Sequence, residues 1–223
     1  MDYRHEWKYV ITYHDMFILK QRLCAVMKPD KNAVDGRYFI RSLYFDTPED
    51  RALREKLDGV SRREKFRIRY YNHDTGMIRL EKKSKAAGLG NKQNAILTKK
   101  EAQKIVDGDI SWMIQSDKPL IQELYVKMKN QQLRPKTIVD YTREPFVYEP
   151  GNVRVTLDYG IRTGLCCMDF LNPSCFTIPI AENPIILEVK WDAFLPEIIR
   201  DAVCLEGRSV SAFSKYAQCR IYD

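Results

Sequence analysis

The sequence holds little that could build a conventional metal or thiol centre. Its only histidines are His5, His14 and His73, and Cys24, Cys166, Cys167, Cys175, Cys204 and Cys219 form no C-x-x-C pair. A zinc site or a disulfide framework is therefore not expected, and buried free thiols are the simplest reading. No apolar run approaches membrane-spanning length. The opening MDYRHEWKYVITYHD has charges in its first turns and no uninterrupted apolar core, so neither a signal peptide nor a membrane anchor is expected, and a cytoplasmic chain follows. Low-complexity runs, internal repeats and long Pro/Gly/Ser linkers are also missing, which predicts a single domain over residues 1–223. There is no P-loop and no convincing Ser/His/Asp set.

What is present is a core-forming chain with a cationic excess. At 223 residues and 44% hydrophobic content it can bury a full core, and its net charge of +7 points to an anionic partner: nucleic acid, lipid or a phosphorylated small molecule. Strand-like segments run near 4–12, 38–45, 62–72, 77–84, 135–148, 152–161 and 185–191. Helix signals lie between them. LTKKEAQKIVDG carries a Thr98/Glu101 capping box, Pro119 opens a second helix, and residues 15–27 and 195–205 have apolar residues at helical spacing. Several strands follow one another directly, so the expected class is α+β, an antiparallel sheet with helices packed on it.

The strands share one pattern. In KFRIRY, Lys65, Arg67 and Arg69 fall on one face and Phe66, Ile68 and Tyr70 on the other, because successive side chains point to opposite sides of a strand. The following strand, reached through an expected Asp-Thr-Gly turn, places Arg79, Glu81 and Lys83 opposite Ile78 and Leu80. VRVTLDYG separates Arg154, Thr156 and Asp158 from Val153, Val155 and Leu157, and IILEVKW separates Glu188 and Lys190 from Leu187, Val189 and Trp191. Arg4, Glu6 and Lys8 conform as well. One such strand alone reads as half-exposed surface. Five of them, rich in long cations with isolated carboxylates, read differently if the helices cover the apolar side of a curved sheet: the charged sides then converge on an interior tunnel. That lumen must hold water, an anion or both, since unscreened like charges cost several kcal/mol each on the order of their desolvation. A polyanion with a divalent cation would satisfy cations and carboxylates together.

EWKY, SLYFDT, FRIRYY, LEKKSK, YTREPF, VRVTLD, ILEVKW and FSKY, in this order, resemble the motifs of the vacuolar transporter chaperone (VTC) domain. That family comprises polyphosphate polymerases of the triphosphate tunnel metalloenzyme superfamily, which also includes the CYTH phosphatases and cyclases. The resemblance implies an antiparallel β-barrel tunnel with helices outside. It implies that Lys8, Arg67, Arg69, Lys83, Lys92, Arg143, Arg154, Lys190 and Lys215 grip phosphates, and that Arg67, Arg69, Lys83 and Glu188 serve catalysis. Glu188 would be the principal ligand for Mn²⁺ or Mg²⁺, with Glu6 and Glu81 as partners. Many CYTH enzymes begin with Glu-x-Glu-x-Lys, whereas this chain has RHEWK; Arg4 replaces the first carboxylate, which implies a smaller metal complement and the polymerase-like branch.

The expected reaction moves the γ-phosphate of ATP, or another triphosphate, to a growing polyphosphate chain without a protein nucleophile. Water as acceptor would make the same site a triphosphatase. The remaining alternative is a non-catalytic module binding polyphosphate or nucleic acid, with aromatics beside arginine in FRIRYY to stack bases; carboxylates on the same faces argue against nucleic acid.

Overall fold

The computed structural model describes residues 4–86 and 89–221. Its strands are β1 (His5–Ile11), β2 (Lys28–Pro29), β3 (Tyr38–Asp46), β4 (Arg63–Tyr71), β5 (Asp74–Ala86), β6 (Leu89–Leu97), β7 (Arg134–Tyr148), β8 (Val153–Thr163), β9 (Ile178–Pro179) and β10 (Ile185–Trp191). Its α-helices are α1 (Tyr13–Val26), α2 (Arg51–Leu57), α3 (Lys99–Val106), α4 (Pro119–Gln131), α5 (Glu197–Ala202) and α6 (Lys215–Cys219). The strands form one antiparallel sheet in the order β1-β10-β8-β7-β3-β4-β5-β6, with β2 added to β7 and β9 to β8. The sheet curls until its two ends meet, where Arg4 donates its backbone N–H to the Gly90 carbonyl at 3.4 Å. The α+β class and the curled antiparallel architecture are those expected.

Local chemistry sets the helix starts. Thr12 and Thr98 each accept a backbone hydrogen bond three residues ahead, from Asp15 and Glu101, whose carboxylates bond back to the threonine N–H. These reciprocal caps satisfy donors that the first turn leaves free. Pro119 sits in the first turn of α4, where no amide hydrogen is required.

Two apolar clusters lie outside the curl. One joins Leu43, Phe66, Ile68 and Leu80 to Ile105 of α3 and Leu124 of α4; the other joins Val155, Leu187 and Val189 to Leu19 of α1 and Ile199 of α5. Covering these faces turns the alternate, charged faces inward. Burial of each such side chain contributes about 1.5–3 kcal/mol, enough for the apolar faces to decide which way the charged ones point.

One local expectation is corrected by the structure. The β4–β5 hairpin turns at Asn72-His73, both with positive φ (49° and 60°), and Tyr71 pairs with Asp74, so Asp74-Thr75-Gly76 belongs to β5 instead of the turn. Two consecutive left-handed residues match the twist of a tight hairpin, and Asn tolerates that conformation. The stretch around SKAAGLGNKQN, outside the strand-like segments of the sequence, supplies most of β6; its Gly, Asn and Gln residues give no apolar alternation, and pairing with β5 forms the strand. The concave side also carries an apolar patch of Tyr38, Ile40, Tyr44, Val139, Tyr141 and Ile186, on which Tyr216 of α6 packs.

Candidate functional site: an ion-paired tunnel

The inward faces bring most of the predicted residues together. From β1 and β10 come Glu6, Lys8, Glu188 and Lys190, with Lys8 directly opposite Glu188 and Glu6 opposite Lys190. Lys190 Nζ lies 2.9 Å from Glu188 and 3.5 Å from Glu6, and Lys8 Nζ lies 3.8 Å and 3.6 Å from the same two carboxylates. Across the lumen, Lys83 of β5 reaches Glu6 at 3.1 Å. This contact joins the two end strands' neighbourhoods through charge.

Arginine pairs line the remaining wall. Arg67 donates to Glu81 at 2.8 Å and to the Tyr44 hydroxyl at 2.6 Å. Arg69 donates to Ser42 at 2.8 Å and to the Tyr141 hydroxyl at 3.0 Å, with Glu81 3.8 Å away. Arg143 holds Asp158 by two bonds of 2.6 and 2.7 Å and reaches Glu188 at 3.0 Å. Lys215 approaches Asp158 at 2.6 Å and stands over the Tyr141 ring. Bidentate guanidinium–carboxylate contacts fix the planes of these side chains before any ligand arrives.

The electrostatics follow from this crowding. Burial opposes the charge on Glu188, but Lys190, Lys8 and Arg143 outweigh it and hold the carboxyl well below its ordinary range. Glu81 is lowered likewise: burial opposes, and Arg67, Arg69 and Lys92 prevail. Lys83 goes the other way. Burial and the neighbouring Lys8 bring it down to about 7 despite Glu6. Lys65, facing Lys8, Arg67, Lys56 and Arg63, is likewise brought to about 7, burial being the larger cause.

Some predicted residues stand apart. Arg154 faces inward near one end, bound to the Tyr38 hydroxyl and to Asp30, both at 3.0 Å. Lys92 reaches Glu81 at 2.5 Å from β6 and is about half exposed. Arg4 turns away to Asp192, 2.6 Å distant, and Arg79 contacts the Met77 sulfur at 3.6 Å, so neither joins the central cluster. Reading the sequence missed Ser42, Tyr44 and Tyr141 as partners of the cations, whereas Asp158 lies on the charged face where the alternation puts it. Alternation in SLYFDT and YTREPF places these three on inward faces, and that was the available signal.

The carboxylates differ in what they could hold. Glu6 and Glu188 share two lysines, face the lumen and offer hard oxygen donors of the kind Mg²⁺ and Mn²⁺ take. Glu81 is 1% exposed and is surrounded by Arg67, Arg69 and Lys92, a setting that fits a counter-ion to arginine. Among the described residues no three His, Cys, Asp or Glu side chains stand together as a ready metal cage. A cation here would therefore complete its shell with ligand oxygens and water.

A curled antiparallel sheet with a cationic, carboxylate-studded interior is the architecture of the triphosphate-tunnel proteins. The chain belongs to the VTC domain family, whose model matches residues 3–221. Solved structures share its fold at low identity. A putative adenylyl cyclase from Hippeastrum, described as having a dominant triphosphatase activity, is 14% identical with a TM-score of 0.56, covering 99% of this chain and 95% of that one. A putative adenylate cyclase from Bacillus halodurans is 16% identical with a TM-score of 0.50, covering 84% and 81%, and a Pyrococcus horikoshii protein is 13% identical with a TM-score of 0.50, covering 95% and 96%. No curated protein matches the chain. No helix among the described residues is long and apolar enough to cross a membrane.

Proposed function

We propose that this chain is a polyphosphate polymerase-type phosphotransferase that moves the γ-phosphate of ATP, or of another triphosphate, to a growing polyphosphate chain. The observation that carries the reading is the inward row Arg67, Arg69, Lys83, Lys8, Lys190 and Arg143, held around one lumen by Glu6, Glu81, Asp158 and Glu188. Membership of the VTC family supports it.

Each group has a task that follows from its chemistry. Arg67 and Arg69 present planar forks to phosphoryl oxygens, and their bonds to Tyr44, Ser42 and Tyr141 fix those forks in place. Lys8, Lys83 and Lys190 supply mobile positive charge where the transferred group becomes more anionic. Glu188 and Glu6 would hold Mg²⁺ or Mn²⁺, which would neutralise phosphate charge and orient its oxygens. Arg143, tied to Asp158 and Glu188, positions the Glu188 carboxylate. The attacking oxygen belongs to the terminal phosphate of the acceptor chain: a new P–O bond forms to the γ-phosphorus, the β–γ bridge breaks, and ADP leaves. Lys92, Arg154 and Lys215, nearer the ends, would steer the flanking units.

A second reading keeps the site and changes the acceptor. The Hippeastrum protein of similar fold is described as a triphosphatase, and water in place of a chain terminus would make this site hydrolytic. Purified protein incubated with ATP and Mn²⁺ distinguishes them: phosphate chains longer than three units together with ADP support the polymerase, inorganic phosphate without chains supports the triphosphatase. Neither product would reject both.

A further inference from the structure

The loop after β8 brings two thiols together on the outer face of the sheet, away from the tunnel. The sulfurs of Cys167 and Cys175 stand 2.8 Å apart, and both residues are partly buried. Of the other cysteines, Cys24, Cys166 and Cys204 are exposed and Cys219 is buried, so the buried-thiol reading of the sequence holds for Cys219 alone.

The loop is held at both ends and in its middle by groups other than these sulfurs. Gly164 donates its N–H to the Ile138 carbonyl at 2.9 Å, and a Cβ added there would fall 2.8 Å from the Ile138 Cβ, so the backbone lies directly on β7. At the far end Arg162 Nε donates to the Thr177 hydroxyl at 2.9 Å. Between them Phe170 and Leu171 are buried in the outer apolar cluster, and the Tyr70 hydroxyl donates to the Phe170 carbonyl at 3.1 Å. Arg41, buried and paired with Asp140, donates to the carbonyls of Asn172 at 2.5 Å and Cys175 at 3.4 Å. Turn bonds fix each cysteine's backbone, from Cys167 N–H to the Gly164 carbonyl at 2.9 Å and from Cys175 N–H to the Asn172 carbonyl at 3.0 Å. Sulfurs in a disulfide sit about 2.05 Å apart, so joining this pair takes less than about 1 Å of movement and releases none of the anchors.

We propose that Cys167 and Cys175 are a reversible dithiol–disulfide site, which a small disulfide oxidises and a small thiol reopens, and whose closure locks this loop to the back of the sheet. Burial and the contact with Cys167 push the Cys175 thiol up to about 12, so the first attack falls to Cys167. Its thiolate attacks one sulfur of a small disulfide such as oxidised glutathione; a mixed disulfide forms, and one glutathione leaves and takes up the proton that Cys167 gave. Cys175 then gives up its proton and attacks the Cys167 sulfur, the mixed bond breaks, and the second glutathione leaves as a thiol. Two protein thiols are oxidised and one small disulfide is reduced to two thiols. Where small thiols keep proteins reduced the pair rests open, and oxidising conditions close it. The lock also bears on the wall of the tunnel: Arg41 and Asp140, which hold the loop from outside, are chain neighbours of Ser42 and Tyr141, which hold Arg69 from inside.

Peptide mapping of wild-type protein equilibrated with oxidised glutathione tests this. Free thiols are alkylated and the chain is cut before Asp169, which separates Cys166 and Cys167 from Cys175. The two peptides are expected to stay joined until dithiothreitol is added, with fragment masses placing the link on Cys167 and the alkyl group on Cys166. The thermal midpoint of the linked protein should lie about 5 °C above that of the reduced protein, since the bond restrains the unfolded chain. The Cys167→Ser/Cys175→Ser variant should show no such difference between the two conditions. Cys175→Ser alone should stop with one glutathione on Cys167. No link, a link from Cys166, glutathione left on Cys167 of the wild type, or a midpoint that does not rise would each overturn the site. The mapping and the midpoint are read on the wild-type chain, so a variant that fails to fold leaves the test standing. These readouts do not depend on what the tunnel binds.

Discussion

Lys82 and Lys83 are neighbours in the chain and opposites in the fold. Lys82 points outward beneath α4, where it pairs with Glu123 and, at 3.1 Å, with Glu64. Burial lowers its pKa, Glu123 and Glu64 more than offset that, and the ammonium is held above its ordinary value. Lys83 points into the tunnel and also has a carboxylate, Glu6, at 3.1 Å, yet its pKa falls to about 7 because burial and Lys8 prevail. An ion pair alone therefore does not define a lysine's role. The outer one is a fastening between sheet and helix, and the inner one is an under-neutralised charge facing the lumen.

The largest test of this contrast lies at the acid that the inner lysines share. Glu188→Ala should lower metal-dependent phosphoryl transfer by about 10³-fold, within the range seen when charge-stabilising groups are removed from active sites. Binding of polyphosphate should persist or tighten, since Lys8, Lys190 and Arg143 lose a competing carboxylate. Full activity in this variant, assayed with ATP and Mn²⁺, would remove Glu188 from the mechanism.

Next in size is the direct comparison. Lys83→Met should reduce transfer by about 10²-fold, and Lys82→Met by less than about threefold. Equal losses in steady-state assays would erase the distinction between the two faces.

A pH effect of up to about tenfold per unit should follow. With Lys83 at about 7 in the empty tunnel, raising pH from 7 to 9 discharges it, so tripolyphosphate binding should weaken and be accompanied by proton uptake. Calorimetry in buffers of different ionisation enthalpy measures this uptake. The Lys83→Met variant should lack that component, and an identical pH profile in the variant would show that Lys83 is not its source.

The smallest effect concerns stability, and its sign differs between the two lysines. Because the folded pKa of Lys83 lies below 10.5, the unfolded chain binds more protons between about pH 7 and 10.5, and this group's contribution to stability rises with pH there. Lys82 has its folded pKa raised, so its stabilisation is present below 10.5 and lost as pH climbs through the folded value. Denaturant unfolding at neutral pH should show Lys82→Met less stable by about 1 kcal/mol and Lys83→Met unchanged or more stable.

Much of this arrangement can be read along the chain, and the failures have physical reasons. Alternation in β4, β8 and β10 is legible because one face is strongly apolar, so register and burial agree. The strand β6 carries Asn, Gln and Gly, and only its neighbour makes it a strand. The helices α2 and α6 span 7 and 5 residues, too short for a periodic stripe. In the site, the cations stand out by type, whereas the groups that aim them do not. Tyr141 meets Arg69 across 72 positions of sequence, and Lys215 meets Asp158 across 57, distances over which no local pattern reports contact. The buried Arg41–Asp140 pair, 2.8 Å apart on the outer face, was equally invisible from spacing alone.

The place where the curled sheet meets itself is fastened unlike the rest of its wall. Elsewhere adjacent long strands share ladders of successive residues, whereas between β1 and β6 the described backbone offers the Arg4–Gly90 contact, and the nearby bond across the gap is the ionic reach of Lys83 to Glu6. Backbone ladders are indifferent to dissolved salt, but charge attraction at a partly exposed joint is weakened by it. Ionic strength thus acts on this molecule as a thumb on a clasp, slackening one seam of the ring while the other staves stay bound.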